Sequence, residues 1–132
     1  MYNSNMEFPS VKFKPRRDSY SRTRGGKSTI LYLSCSNCKE PTLVYQKDGP
    51  GKLLRCYADR ILWPPDLVDR LDAITPETIK TVGVIACEGC MQVIGTPTVY
   101  RREDRSAFRV MPGSLYSDAS IESAKARSVG ET

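Results

Sequence analysis

The chain has 132 residues, 39% of them apolar, with twenty Lys and Arg against fifteen Asp and Glu and a formal net charge of +5. That length supports one small domain with tails, and a core of that size commonly borrows stability from a metal or from disulfides. Histidine is absent, which excludes a histidine general base, a Ser-His-Asp or Cys-His triad, and a mixed Cys/His metal site.

No run of about 18 apolar residues occurs, so no membrane span is expected. The polar stretch Met1 to Ser10 lacks the apolar segment of a signal peptide. Without secretion, five cysteines (an odd number) read as thiols rather than a disulfide framework, and place the protein in the cytoplasm. The charge is unevenly distributed. Residues 1–29 hold seven of the twenty basic side chains, Lys12, Lys14, Arg16, Arg17, Arg22, Arg24 and Lys27, against two acidic ones, Glu7 and Asp18. The rest of the chain carries thirteen of each sign and is balanced. A basic segment of this kind favours phosphate-bearing or acidic partners.

In chain order, residues 1–28 read as a basic flexible arm rich in Arg, Ser and Gly, in which Phe8, Val11 and Phe13 offer a short strand for docking. The β-prone run Thr29 to Leu33 begins the ordered domain, expected over 29–116, and leads into Cys35-Ser36-Asn37-Cys38. Thr42 to Gln46 reads as a second strand. A turn signal over Lys47-Asp48-Gly49-Pro50-Gly51 then precedes a third strand over 52–57. Pro64 and Pro65 suit a helix's first turn. The stripe Leu67, Val68, Leu71 and Ile74 continues that helix, and a helical insertion is expected over about 64–80. Strand character resumes over Thr81 to Ala86, enters Cys87-Glu88-Gly89-Cys90 and leaves over Met91 to Gly95. Thr98 to Arg101 and Ala107 to Val110 predict a hairpin across a charged turn. Residues 117–132 read as a flexible tail.

The two Cys-x-x-Cys pairs carry the chemistry. Each is flanked by strands, so the chain reads strand, pair, strand twice over. Four thiolates in two matched pairs suit tetrahedral coordination, which structural zinc sites commonly build from four cysteines. The arrangement from Leu31 to Gln46 and from Val84 to Ile94 resembles the zinc ribbon group of folds. The resemblance implies that Cys35, Cys38, Cys87 and Cys90 are zinc ligands in a small antiparallel α+β domain, with the helical insertion between two knuckles. Two features depart from that pattern. Forty-eight residues, 39–86, separate the pairs, against about 15–20 in the compact form. Lys39 and Met91, rather than glycine, follow the pairs. An iron site with the same four ligands and a dithiol redox pair remain alternatives to zinc. Cys56, on a strand beside Arg55, reads as a buried core thiol.

Other tempting features have plainer readings. Gly25-Gly26-Lys27-Ser28 lacks the first glycine and the preceding strand of a P-loop. Asp66, Asp69 and Asp72 mark the solvent side of a helix. Arg101, Arg102, Arg105 and Arg109 are interrupted by Glu103 and Asp104, which points to local ion pairing. The turn 48–52 can present Lys52 to a phosphate. Four cysteine ligands would fill a metal site and leave no open position, so no catalysis is expected. The expected function is a zinc-binding module that contacts nucleic acid, or docks into a larger assembly, through its seven arm cations. A protein–protein adaptor subunit and a rubredoxin-like iron or thiol redox protein are the alternatives. Oligomeric state is not legible in these residues.

Overall fold

The structure, a computed structural model, describes residues 7–117; the tail expected over 117–132 therefore lies outside it except for Ser117. In chain order the described residues form α1 (Ser19–Thr23), β1 (Ser28–Cys35), β2 (Pro41–Asp48), β3 (Arg55–Tyr57), β4 (Ile61–Trp63), α2 (Pro65–Leu71), β5 (Ile85–Ala86), β6 (Val93–Tyr100), β7 (Arg105–Val110) and β8 (Leu115–Ser117). Short 3-10 turns cover Ala58–Arg60 and Ile79–Val82. Every strand pairing is antiparallel, in two four-stranded sheets ordered β4-β2-β1-β8 and β3-β7-β6-β5. The molecule is mixed and mostly β, as the pattern predicts.

The core lies between the sheets. Leu33, Leu43 and Tyr45 from the first sheet meet Cys56, Ile94 and Phe108 from the second. The predicted helical stripe closes the side in part: Leu67 and Leu71 of α2 are buried and Val68 packs against the core. The helix ends at Leu71 rather than continuing towards residue 80, so Ile74 packs on the core from the turn that follows. Asp66, Asp69 and Asp72 face solvent. Cys56 is 2% exposed opposite Phe108, and burial pushes its thiol up to about 12, which keeps it neutral as a core residue.

Three local expectations change. The strand expected over 81–86 shortens to Ile85–Ala86, because Val82 ends a 3-10 turn and Gly83 turns the chain at φ 80°. The third strand begins at Arg55 rather than at residue 52. The two strands expected over 91–95 and 98–101 are one, β6, running through Pro97. Beyond Gly95, β6 pairs only with β7, so the missing N–H of Pro97 faces an open edge, where proline is tolerated. The predicted hairpin is the β6–β7 pair, from Gly95 opposite Val110 to Tyr100 opposite Arg105.

The segment expected as a flexible arm packs on the domain over its described part, residues 7–28. Five consecutive residues of β2, Thr42 to Gln46, are buried. Alternating side chains of a strand point to opposite faces, so this sheet must be covered on both. Leu43 and Tyr45 face the second sheet. Tyr32, Val44 and Gln46 face outward, onto residues 8–16. The Phe8 ring lies 5.4 Å from Tyr32 and 5.7 Å from Trp63, and Phe13 lies 6.5 Å from Tyr32. Gln46, fully buried, accepts from the Arg16 N–H at 2.6 Å and donates to the Arg16 carbonyl at 2.8 Å. These contacts use aromatic burial and side-chain-to-backbone hydrogen bonds without a strand; Val11 stays exposed.

The rest of the segment is anchored by ions. Asp18 caps α1 reciprocally with Ser21, the pairing that satisfies free N–H groups at a helix start. It also accepts from Arg60 at 2.6 Å. Arg24 makes a two-pronged pair with Glu103, at 2.8 and 3.0 Å. Arg105 is stacked between the Tyr20 and Tyr57 rings, 3.8 Å from each centroid. The Gly25-Gly26 pair terminates α1, with Gly26 donating to the Ser21 carbonyl, so the P-loop resemblance is a helix end.

Candidate metal centre

Each Cys-x-x-Cys pair occupies a tight turn between strands. In the first, the Cys35 N–H donates to Glu40 and the Lys39 N–H to the Cys35 carbonyl. In the second, the Cys87 N–H donates to Gln92 and the Met91 N–H to the Cys87 carbonyl. The two turns are equivalent bond for bond. Both require a left-handed residue after the second cysteine, supplied by Lys39 at φ 70° and Met91 at φ 67°. The glycines missing from the sequence pattern therefore mark a conformation that is adopted without them.

The first turn joins β1 to β2 in one sheet, and the second joins β5 to β6 in the other. They meet at one end of the core, bracketed by the 113–114 turn. The Ser114 carbonyl accepts from the Ser36 N–H at 2.9 Å and from the Gln92 carboxamide at 3.5 Å. All four Sγ atoms lie within 4.8 Å of one another. Cys35 and Cys90 approach to 3.7 Å and Cys38 and Cys87 to 3.4 Å. A regular tetrahedron with metal–sulfur spokes of ~2.3 Å has edges of about 3.8 Å. The sulfurs therefore have the spacing of a four-sulfur coordination shell, and this cluster can hold a metal ion. No other such group is found among the described residues.

The surroundings support charged sulfur unevenly. Cys35 and Cys87 are buried, Cys38 and Cys90 half-buried. Burial pushes the Cys87 thiol up to about 12 despite backbone donation from Cys90 and Gly89, and raises Cys38 as well. Donation from the Asn37 carboxamide, 3.3 Å away, draws Cys90 down to about 7. Without a cation the four could not all be thiolates, since two are held neutral by burial; a divalent ion would favour ionisation of the whole set. Asn37 was not singled out from the sequence. It lies within one pair and hydrogen-bonds the other across the site, and its position between cysteines is the one signal that marks it.

Met91 offers a clean test of the turn. It is 72% exposed, and a left-handed conformation costs an L-residue roughly 1–2 kcal/mol, against roughly 0.5–1 kcal/mol of extra chain entropy for glycine. Met91→Gly is expected to raise unfolding stability by up to about 1 kcal/mol, read as a higher urea midpoint at unchanged slope. A lower midpoint would mean that the methionine side chain contributes more than its conformation costs.

The arm cations are placed as follows. Lys12, Lys14, Arg16, Arg17, Arg22 and Lys27 are exposed. Arg24 is half-buried in its pair with Glu103. Of the second basic cluster, Arg105 is 5% exposed and bound to Asp59 and Glu103, whereas Arg101, Arg102 and Arg109 face solvent.

Among the described residues, no helix is long and apolar enough to cross a membrane. Comparison with protein-family models, curated proteins and solved structures finds no match. The class that fold and site define is thus a mostly β protein of two antiparallel sheets with a four-cysteine cluster able to hold a metal, compatible with a zinc-ribbon-like group.

Proposed function

We propose that the protein is a non-catalytic module in which one zinc ion, held by Cys35, Cys38, Cys87 and Cys90, clamps the two sheets, and whose cationic N-terminal segment binds nucleic acid. The sulfur spacing carries the metal half of this reading: edges of 3.4 and 3.7 Å match a four-sulfur shell, and four sulfurs complete zinc's preferred number. Iron is the competitor, since tetrahedral sulfur suits both. Element analysis of purified protein decides: one zinc per chain in a colourless sample is expected, and a red, iron-containing sample would move the reading to electron transfer.

Six exposed arm cations, on a segment packed against the domain, support the nucleic-acid half. Neutralising phosphates releases counterions, so affinity should fall with salt, with a slope of about −0.7 per contact for single strands. The variant Lys12→Ala/Lys14→Ala/Arg22→Ala/Lys27→Ala removes four exposed charges that make no side-chain bond or ion pair described above. Binding of a fluorescein-labelled oligonucleotide should weaken by about tenfold or more, and its salt slope should shrink by about two to three. Unchanged affinity would sink the arm's role.

A further inference from the structure

The second sheet carries its own cationic face. With Cys56 and Phe108 directed inward, Arg55 and Tyr57 of β3 and Arg109 of β7 share the outer face. Arg55 stands directly opposite Arg109, and like charges facing each other across a strand pair are unfavourable. Beside them, the turn after β2 folds over to form a cleft of about 270 Å³. Lys47, Lys52 and Arg55 line it together with Tyr57, Tyr100 and Leu54.

Lys47, Lys52 and Arg55 have no carboxylate partner among the described residues. Lys47 donates to the Gly49 carbonyl. Arg55 lies 4.3 Å above the Tyr100 ring and reaches the Tyr57 hydroxyl. Lys52 is exposed. The one acidic lining residue, Asp48, is engaged by Ser28, Gln46 and Arg60 at 2.6, 2.9 and 2.7 Å. The fourth lining cation, Arg24, is taken up by Glu103. The wall is also built to be rigid. A side chain at Gly49 would come within 2.9 Å of the Arg24 carbonyl, so the turn is pressed onto the N-terminal segment at a position only glycine fits.

We propose that this cleft binds single-stranded nucleic acid, seating a backbone phosphate among Lys47, Lys52 and Arg55 and a base against Tyr100, Leu54 and the Arg55 guanidinium. Its volume lies just under the ~300 Å³ floor of ordinary small-molecule pockets, which suits one nucleotide of a strand rather than an enclosed cofactor. Aromatic, guanidinium and apolar surface next to positive charge is the chemistry that receives unstacked bases, which a duplex does not offer. Leu54, 65% exposed, has no other evident use. This inference rests on the nucleic-acid reading above and adds to it a second contact, on the body of the domain.

The test is fluorescence anisotropy with labelled oligo(U) and oligo(dT) on the metal-loaded full chain, comparing Lys52→Ala/Arg55→Ala with Lys80→Ala, an exposed lysine outside the cleft. The expected result is a loss of about tenfold or more in the double variant, a salt slope smaller by about one to two, and no change for Lys80→Ala. Poly-glutamate should compete poorly. If the wild type and the arm variant differ while the cleft variant binds normally, the cleft is overturned and the arm reading stands. If poly-glutamate competes as well as oligonucleotide, the site takes anions in general and the proposal fails. If the wild type binds neither oligonucleotide, both readings fall.

Discussion

Treating the protein with a strong chelator is expected to melt both sheets in one transition, and adding zinc back should restore them. The four sulfurs lie at the junction of the sheets, and Cys35 and Cys87 belong to the central apolar cluster. Binding free energy at structural zinc sites runs to ~10–16 kcal/mol, while a domain's net stability is ~5–15 kcal/mol. Removing the ion would take away an amount comparable to the whole. It would also leave two thiols that burial keeps neutral and two turns with left-handed residues to hold. Cys87→Ser should reproduce the loss, since a hydroxyl is a poor substitute for thiolate. Cys56→Ser, at a core cysteine outside the cluster, should cost only what an altered core position costs and should leave the response to chelator intact. Circular dichroism melts with and without chelator make the comparison. A chelated protein that keeps its melting temperature would show that the cluster does not sustain the fold.

Arg60→Ala should be the most damaging single substitution away from the cysteines, at about 3–5 kcal/mol near neutral pH. Arg60 is fully buried. Its Nε bonds Asp48 at 2.7 Å and its Nη2 bonds Asp18 at 2.6 Å, while Nη1 sits 3.8 Å from Asp59 without a hydrogen bond. Asp59 leads on to Arg105, which reaches Glu103, and Glu103 also holds Arg24. One guanidinium thus fixes α1, β2 and the 3-10 turn to one another. Truncating it leaves the Asp48 carboxylate, 4% exposed, charged and without its cation.

The pH dependence distinguishes this from simple loss of packing. Hydrogen bonding from Arg60 draws the Asp18 carboxyl down to about 2 from an ordinary 3.8. Burial works against Asp48, but donation from Ser28, Arg60 and Gln46 outweighs it and its pKa is lowered too. For groups depressed in the folded state, the stabilisation is full above the unfolded value and lost as pH falls through the folded one. These carboxyls therefore leave the wild type flat between about pH 5.5 and 8. In Arg60→Ala, Asp18 and Asp48 lose the hydrogen bonds and charge of Arg60 that lower them, so their folded pKa values move up from the wild-type positions, while Ser28 and Gln46 still donate to Asp48. The wild type gives up this stabilisation as pH falls through its folded values, and the variant has less to give up. The stability difference between the two should therefore narrow as pH is lowered from about 5.5 to about 3. Urea unfolding of both proteins at about pH 7, 5 and 3.5 reads the difference, and any acid release of a metal falls on the same four cysteines in each. A difference that stays constant with pH would show that packing, not charge, is lost.

The cysteine pairs were legible because metal-ligand spacing is short and local, and the flanking strands declare themselves through β-branched and aromatic residues. The α2 stripe was legible for the same reason: its period is contained in about ten residues. What the sequence concealed is pairing at a distance. Arg16 to Lys27 looks like a solvated polar tract because Asp18 and Arg24 find their partners on Arg60 and Glu103, while Gln46 holds the Arg16 backbone. Nothing in the local pattern marks Arg60 or Gln46 as interior, and the third layer, the segment over β2, is what buries them. The charged turn at 103–105 concealed a buried stack for a related reason, since its guanidinium is sheltered by rings from α1 and β3.

That third layer constrains the order in which the molecule is assembled. Residues 7–28 leave the ribosome before the strands they pack on, yet Gln46, Arg60, Trp63 and Glu103 supply their seat, the last of them 79 residues downstream of Arg24. Each knuckle is closed by bonds between near neighbours in the chain and can form as soon as it is made. The cover over β2 must instead wait for Trp63, and the Arg24 anchor for Glu103; until Trp63 is made, the outer face of β2, with Val44 and Gln46, stays open to water. A nascent chain halted before residue 63 would therefore present an uncovered sheet, which is where chaperone contact and premature self-association would concentrate.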